Sequence, residues 1–166
     1  MNPGNDIQDV IVSAAGPEDL EDILGLQKIA FLSEAKCIND NSLPPLRQTI
    51  TEIRDEFGHS AFLKATLGAQ IVGSVRAELR DGTCTIKKLI VHPDYQNRGI
   101  GSLLLADIEQ RFLGTKKFEL FTGKESKRNH EFYIRRGYTP FKEERITGKL
   151  VLVYFEKCRH PDKKNR

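Results

Sequence analysis

The chain has 166 residues, of which 39% are hydrophobic and 30% are charged; this is enough for one full hydrophobic core but short for two independent domains. Its 26 basic and 23 acidic residues are interleaved and leave a formal net charge of +3, so the composition indicates no nucleic-acid partner. No stretch approaches the roughly 18 consecutive apolar residues of a membrane-spanning helix, and we expect no membrane partner.

The three cysteines, Cys37, Cys84 and Cys158, are widely spaced and include no CxxC pair. Their odd number and spacing argue against a disulfide framework and against a structural zinc site, so we expect no metal. A reducing compartment suits this cysteine usage, and the first six residues have neither the basic nor the apolar region of an export signal. We therefore expect a cytoplasmic protein.

The first part of the chain predicts one strand and two amphipathic helices. Residues 10–14 form a short β-like run, and Gly16-Pro17-Glu18-Asp19 starts a helix with an early proline and acids in its first turn. Pro44-Pro45 opens a second helix, which Gly58 ends. Positions at helical spacing give each helix one buried face: Leu20, Ile23, Leu24, Gln27 and Phe31 in the first, and Leu46, Ile50, Ile53 and Phe57 in the second.

From Ala61 the pattern changes to that of β-strands, predicted at residues 61–66, 71–79 and 83–91. The connections, near Gly68 and at Asp81-Gly82, are too short for helical crossovers, so these strands should form an antiparallel meander.

The last part of the chain alternates helices and strands. A helix is predicted at 99–112 and ended by Gly114, then a strand at 117–122, then a helix at 126–136 stopped by Gly137. A final hairpin joins 138–145 to 150–155 through Thr147-Gly148.

The resulting order, β-αα-βββ-α-β-α-ββ, predicts an α+β sandwich with a mostly antiparallel central sheet. The chain contains no internal repeat and no Gly/Ser-rich linker. We therefore expect one domain over residues 1–166, with a core at about 10–157 and a frayed basic tail at 158–166.

The junction after Val91 carries the chemistry, because a strand there runs through a turn directly into a helix. The first NH groups of such a helix have no partner within it, and the positive end of the helix dipole lies behind them, so the junction is a ready anion site. Gly99 and Gly101 have no Cβ and let a phosphate approach the backbone closely. Arg98 adds a charged donor, and Gln96 can bind through its amide or brace the loop.

The alternative is that Gly-x-Gly at the start of a helix is only a tight turn. A Rossmann fingerprint needs a third glycine and a Walker loop needs Gly-Lys-Ser/Thr, and neither is present around Gly99 and Gly101.

Two blocks of sequence resemble motifs of the GCN5-related N-acetyltransferase (GNAT) superfamily. The first resembles its acetyl-CoA motif and reads Leu89-x-Val91-x-Pro93-x-x-Gln96-x-x-Gly99-x-Gly101-x-x-Leu104. The second is similar to its Asn-x-x-x-Phe-Tyr signature and reads Asn129-His130-Glu131-Phe132-Tyr133-Ile134-Arg135-Arg136-Gly137-Tyr138. The predicted element order matches that family from about Val10 to Phe155.

The resemblance implies a GNAT-type sheet that is bulged in its fourth strand and splayed between strands 4 and 5. The pantetheine arm of acetyl-CoA would lie in that gap along the main chain of Leu89, Ile90 and Val91, like an added strand. Seven consecutive residues would wrap the pyrophosphate, chiefly through NH groups: Gln96, Asn97, Arg98, Gly99, Ile100, Gly101 and Ser102.

Two residues of the second motif acquire roles from the same resemblance. Asn129 would hydrogen-bond the cofactor, with simple capping of its helix as the alternative. Tyr133 would lie against the cofactor and protonate the departing thiolate as general acid, with core packing as the alternative. Phe132 is expected in the core, and Cys84 is expected to be a buried, inert thiol.

The general base is not assigned by the resemblance. Histone-type members hold a glutamate on the fourth strand, and the corresponding residue here is Thr85, which cannot accept a proton at neutral pH. Glu78, Glu119 and Glu34, the last placed after the first helix, are candidates, and so is a chain of water molecules.

The expected activity is transfer of an acetyl group from acetyl-CoA to an amine by direct attack, with both reactants bound in one cleft. A catalytically inert acetyl-CoA-binding module and an acyltransferase for longer acyl-CoA remain alternatives. The acceptor is left open among small amines, polyamines, amino acids and protein N-termini, and residues 31–35 and 41–45 are expected to edge its pocket. The family habit also suggests a homodimer.

Overall fold

The computed structural model describes residues 6–159, which form seven strands and five α-helices. The strands are β1 (Val10–Ala14), β2 (Ala61–Leu67), β3 (Gln70–Arg80), β4 (Thr83–Val91), β5 (Lys117–Gly123), β6 (Thr139–Arg145) and β7 (Val151–Cys158). The helices are α1 (Leu20–Ile38), α2 (Pro44–Arg47), α3 (Ile50–Phe57), α4 (Ile100–Arg111) and α5 (Lys127–Arg135). No helix within this part of the chain is long and apolar enough to cross a membrane.

The strands form one sheet in the order β1-β2-β3-β4-β5-β7-β6. All neighbouring strands are antiparallel except β4 and β5, which are parallel. Two-residue turns at Gly68 and at Asp81-Gly82 join β2 to β3 and β3 to β4, and both glycines adopt positive φ. The predicted α+β sandwich with a mostly antiparallel sheet is confirmed.

Helices pack on both faces of the sheet. Successive side chains of a strand point to opposite faces, so one strand contributes to the core on each side. Phe62 of β2 packs with Leu20, Ile23 and Ile53 of α1 and α3. The next residue, Leu63, belongs to the larger cluster on the other face. That cluster includes Ile100, Leu104, Leu105 and Ile108 of α4 and Tyr133 of α5.

The predicted single helix from Pro44 to Phe57 is wrong, because the chain breaks between α2 and α3. Gln48 and Thr49 are extended there, with ψ of 133° and 164°. The Thr49 hydroxyl accepts a hydrogen bond from the NH of Glu52 (3.2 Å), and the Glu52 carboxylate accepts one from the NH of Thr49 (2.7 Å). This capping box starts a new helix at Ile50. The apolar spacing was compatible with one helix and did not reveal the break.

The last strand runs three residues beyond its predicted end at Phe155. Cys158 of β7 pairs with Lys117 of β5. Arg159 follows, and its guanidinium donates a hydrogen bond to the carbonyl of Leu113 (2.6 Å). The predicted frayed tail therefore does not begin at Cys158, and its remaining residues, 160–166, lie outside the described residues.

Candidate active site

Strands β4 and β5 pair only at their first three residues. Thr83, Cys84 and Thr85 lie opposite 117–119 of β5. Beyond them, β4 continues to Val91 and β5 to Gly123 without pairing to each other. The edge of β4 that faces β5 is therefore not paired with β5 over Leu89 and Val91, and a wedge-shaped gap opens there.

A bulge lies in β4 beside this gap. Ser74 and Arg76 of β3 pair with Ile90 and Lys87, so that two residues of β4 lie opposite one of β3. Lys88, at the bulge, has a φ of 48°, which is uncommon for a residue with a side chain. The splay and the bulge that the resemblance implied are thus both present.

A buried polar network supports the bulge from the face that α1 and α3 cover. The guanidinium of Arg76 is 1% exposed and donates hydrogen bonds to Glu56 Oε2 (2.7 Å), Gln27 Oε1 (2.5 Å) and Gln48 Oε1 (3.2 Å). Lys88 Nζ donates to Gln48 Oε1 (3.2 Å) and lies 3.4 Å from Glu56 Oε2. These hydrogen bonds join α1, the break before α3, β3 and β4 at one point.

The turn between β4 and α4 exposes the first amides of the helix. Asn97 and Gly99 adopt positive φ (63° and 86°). The first paired NH of α4 is that of Leu103, which donates to the carbonyl of Gly99 (3.1 Å). The NH groups of Ile100, Gly101 and Ser102 have no acceptor among residues 6–159. Three donors at the positive end of a helix thus border the gap, as an anion site requires.

Helix α5 braces this turn through a side chain that the sequence analysis did not single out. Arg128 donates hydrogen bonds to Gln96 Oε1 (2.9 Å) and to Asn97 Oδ1 (2.8 Å). The amide of Gln96 also donates to the carbonyl of Val91 (3.2 Å). Gln96 therefore braces the loop, which was one of its two predicted roles.

The three arginines around the turn occupy different places. Arg98 stacks on the Tyr95 ring, 5.3 Å from its centroid, and donates to the carbonyl of Asp94 (3.3 Å). It lies outside the cleft, whereas Arg128 and Arg136 line it. Arg136 stacks on the Phe132 ring at 3.6 Å and donates to the Ser102 hydroxyl. Arg136 belongs to the second motif and Arg128 immediately precedes it, and this position is the sequence feature that could have identified both residues.

The gap, the turn and the hairpin between β6 and β7 enclose one cleft of about 610 Å³. The C-terminal half of α1 forms one wall, with Phe31, Glu34 and Cys37, and the hairpin contributes Lys149 and Leu150. All the predicted cofactor residues except Arg98 line it: Leu89, Ile90, Val91, Gln96, Asn97, Gly99, Ile100, Gly101, Ser102, Asn129 and Tyr133. Residues 31–35 and 41–45, predicted to edge the acceptor pocket, contribute Phe31, Ser33, Glu34 and Leu43.

Asn129 lies in the first turn of α5 but does not cap it, because the cap position is Ser126. Its amide nitrogen donates to Thr122 Oγ1 of β5 (3.1 Å) and to Glu34 Oε1 of α1 (3.5 Å). The simple capping role given as an alternative is therefore wrong. Asn129 instead joins α5 to strand β5 and to helix α1 at the cleft.

Tyr133 lies one turn after Asn129 and is 7% exposed. Its ring makes edge contacts with Phe132 (5.2 Å between centroids) and Tyr138 (5.9 Å), while the residue also lines the cleft. Burial raises the pKa of the hydroxyl, and the nearby negative charge of Glu34 raises it further. The hydroxyl thus keeps its proton at neutral pH, as a proton donor must.

The three glutamates considered as bases lie in different surroundings. Glu78 forms ion pairs with Arg80 (2.6 Å) and Lys87 (3.4 Å), and Glu119 lies 2.6 Å from Lys117 Nζ. Neither lines the cleft. Glu34 does, and it lies within α1 rather than after it, which corrects its predicted position.

Cys84 and possible metal ligands were also considered from the sequence. Cys84 is fully buried, and burial raises the pKa of its thiol to about 12, so it is an inert core residue. Within residues 6–159, no three His, Cys, Asp or Glu side chains are grouped as a metal site would need.

Comparison with known proteins places this geometry in a family. Residues 58–140, half of the chain, match the acetyltransferase (GNAT) domain family. A Bacillus subtilis protein, UPF0157 protein YqkA, is 25% identical over 134 residues, which are 81% of this chain. The chain spans 38% of the length of that relative.

Solved structures share the fold at low sequence identity. PaiA N-acetyltransferase from Thermoplasma acidophilum, in complex with coenzyme A, is 17% identical, with a TM-score of 0.72 over 90% of this chain and 99% of its own. The ribosomal-protein-S18-alanine N-acetyltransferase from Escherichia coli is 14% identical, with a TM-score of 0.77 over 95% and 98%. With both its family motifs lining one cleft in a splayed sheet, this chain belongs to the GNAT acetyltransferase family.

Proposed function

We propose that the protein is an N-acetyltransferase that moves the acetyl group of acetyl-CoA to a primary amine of a small molecule or peptide. The observation that carries this proposal is the meeting of three features in one cleft: the unpaired edge of β4, the free amides of α4 and the buried hydroxyl of Tyr133. A thioester on a long pantetheine arm with a diphosphate fits these features together.

The cofactor is proposed to lie across the gap with its pantetheine along Leu89, Ile90 and Val91. Main-chain groups of this β4 edge would bond to its amides, as in strand addition, and an NH there would stabilise the oxyanion of the tetrahedral adduct. The diphosphate would meet the NH groups of Ile100, Gly101 and Ser102, with Gly99 allowing the close approach.

The remaining residues of the turn have supporting parts in this proposal. Gln96 and Asn97, held by Arg128, fix the loop around the diphosphate. Arg98, stacked on Tyr95, does not line the cleft and is proposed to add positive charge near the phosphates. Asn129 is proposed to hydrogen-bond the cofactor from α5, beside its bond to Thr122.

In the proposed reaction the amine attacks the thioester carbonyl directly, without an acyl-enzyme. The N–C bond forms, the C–S bond breaks, the nitrogen loses one proton to a base or to water, and the Tyr133 hydroxyl gives its proton to the departing thiolate. Holding both reactants in one cleft supplies most of the rate advantage through proximity. An inert binding module has no use for a buried hydroxyl at this place, so Tyr133 favours the enzyme over that alternative.

Replacing Tyr133 by phenylalanine tests the enzymatic proposal. We expect kcat to fall at least about tenfold, because general acid catalysis typically contributes more than that, while the KM for acetyl-CoA stays nearly unchanged. The measurement is thiol release from acetyl-CoA across a panel of primary amines. Tyr154→Phe on β7, outside the cleft, is the matched control. Equal rates for wild type and Tyr133→Phe would remove Tyr133 as the acid.

A further inference from the structure

Three acidic side chains line the cleft, and one differs from the others in its surroundings. Glu125 and Glu131 are exposed to solvent, whereas Glu34 is half-buried on α1. Within residues 6–159, no lysine, arginine or histidine forms an ion pair with the Glu34 carboxylate. Its hydrogen-bond donor is the neutral amide of Asn129 (3.5 Å). An enclosed carboxylate that lacks a cation is unfavourable unless a ligand brings a positive charge or a proton.

The position of Glu34 places it beside the proposed acid. Asn129, which contacts Glu34, and Tyr133 are four residues apart on α5 and therefore share one face of that helix. The charge of Glu34 also acts on the Tyr133 hydroxyl, whose pKa it raises. The acid on α5 and the carboxylate on α1 thus line the same cleft.

We infer that Glu34 is the general base that takes the proton from the acceptor amine, an inference that rests on the proposed acetyl transfer. The neutral amine attacks the thioester carbon, and the positively charged nitrogen of the adduct gives one proton to the Glu34 carboxylate. The thiolate leaves with the proton of Tyr133. Glu34 then releases its proton to water and Tyr133 regains one, so that the amide and coenzyme A are the products.

The other side-chain candidates for this base fail on geometry. Glu78 and Glu119 lie outside the cleft and are paired with cations. Thr85 lies at the closed end of the β4 and β5 pairing and has no basic group. Burial raises the pKa of Glu34, with the Asn129 amide opposing it, and a carboxylate of raised pKa is a stronger base near neutral pH.

Glu34→Gln removes the base at nearly constant size. We expect kcat/KM for n-butylamine, putrescine and trialanine to fall about 100-fold, within the usual range for general base catalysis. The affinity for acetyl-CoA, measured by calorimetry, should stay unchanged. Glu34→Asp keeps a carboxylate and should retain part of the activity. Glu21→Gln, an exposed glutamate of the same helix, should behave as wild type.

The pH profile separates a base from a structural residue. In wild type, kcat/KM should rise with pH as Glu34 ionises at its raised pKa, and this limb should be absent in Glu34→Gln. The other titratable side chains that line the cleft are Cys37, Tyr95, Lys124, Glu125, Arg128, Glu131, Tyr133, Arg135, Arg136 and Lys149. These remain in both proteins, so a limb lost from the variant belongs to Glu34.

The outcomes distinguish this inference from the proposal beneath it. Wild type that releases no thiol with any of these amines contradicts the acetyltransferase proposal itself. Active wild type with an equally active Glu34→Gln, or with the low-pH limb kept in the variant, overturns the role of Glu34 alone. If Glu34→Gln does not fold, Glu34→Asp decides: a profile identical to wild type in rate and pH would also overturn the inference.

Discussion

Replacing Gly101 by valine is expected to weaken coenzyme A binding at least about 100-fold, or about 2.8 kcal/mol of binding free energy. A Cβ at this position would lie 3.5 Å from the Phe132 ring and 3.9 Å from Val91 Cγ2, which is ordinary contact. The two further methyl groups of valine would then occupy the cleft beside the free amides of α4, where the diphosphate is proposed to lie. Calorimetric titration of the variant with coenzyme A measures the effect.

Gly101→Ala is the matched control, because its single Cβ fits without displacing a neighbour. It should bind coenzyme A nearly as tightly as wild type. Gly99 offers a poorer test, since its φ of 86° and a contact of 2.8 Å with Ile7 would strain any substitution. A valine variant that binds as well as wild type would place the diphosphate elsewhere.

Replacing Arg76 by methionine should lower the free energy of unfolding by about 3 to 5 kcal/mol, the usual cost of breaking a buried ion pair. The change removes all three hydrogen bonds of the guanidinium and its contact with Phe62, 4.6 Å from the ring centroid. Glu56 would keep the neutral hydrogen bond from Gln48 (2.9 Å), and its remaining cation would be Lys88 at 3.4 Å. Urea unfolding of variant and wild type at neutral pH measures the difference.

The same pair predicts a pH dependence. Burial raises the pKa of Glu56, but the charges of Arg76 and Lys88 and the hydrogen bond from Gln48 outweigh it and leave the pKa lowered. A lowered pKa contributes stability above the unfolded value of about 4.3, and that stability is lost as pH falls through the folded pKa. The difference in free energy of unfolding between wild type and Arg76→Met should therefore become smaller at acidic pH.

A double variant separates the pair from general core damage. Replacing both Arg76 and Glu56 by methionine should be less destabilising than Arg76→Met alone, because no carboxylate is left buried without its partner. If the free energy of unfolding of Arg76→Met lies within about 0.5 kcal/mol of wild type, the range of ordinary surface changes, the network contributes little to stability.

Local sequence patterns predicted most of the fold, because each depends on neighbours in the chain. Period-two runs and tight glycine turns placed β2, β3 and β4, and the strand, turn and helix around Gly99 and Gly101 were found where predicted. The break between α2 and α3 was missed although Thr49 and Glu52 spell a capping box, because the apolar spacing continues across it. The apolar spacing predicted one continuous helix, whereas the capping box predicted a new helix start at Ile50. The structure follows the capping box.

The candidate site was harder to predict where it depends on distant pairs. Arg128 contacts Gln96 and Asn97 more than thirty residues earlier, and Gln27, which was counted in the buried stripe of α1, meets Arg76 across 49 residues. No local spacing encodes such contacts. Glu34 was one of three equal candidates in sequence, and only the crossing of α1 over the gap brings it to Asn129.

Titration of the wild-type protein with coenzyme A by calorimetry tests the central claim most directly. The splayed strands and the free amides of α4 predict saturable binding of one molecule per chain, with a dissociation constant in the micromolar range. A protein that is folded by circular dichroism and gives no heat with millimolar coenzyme A would contradict the account.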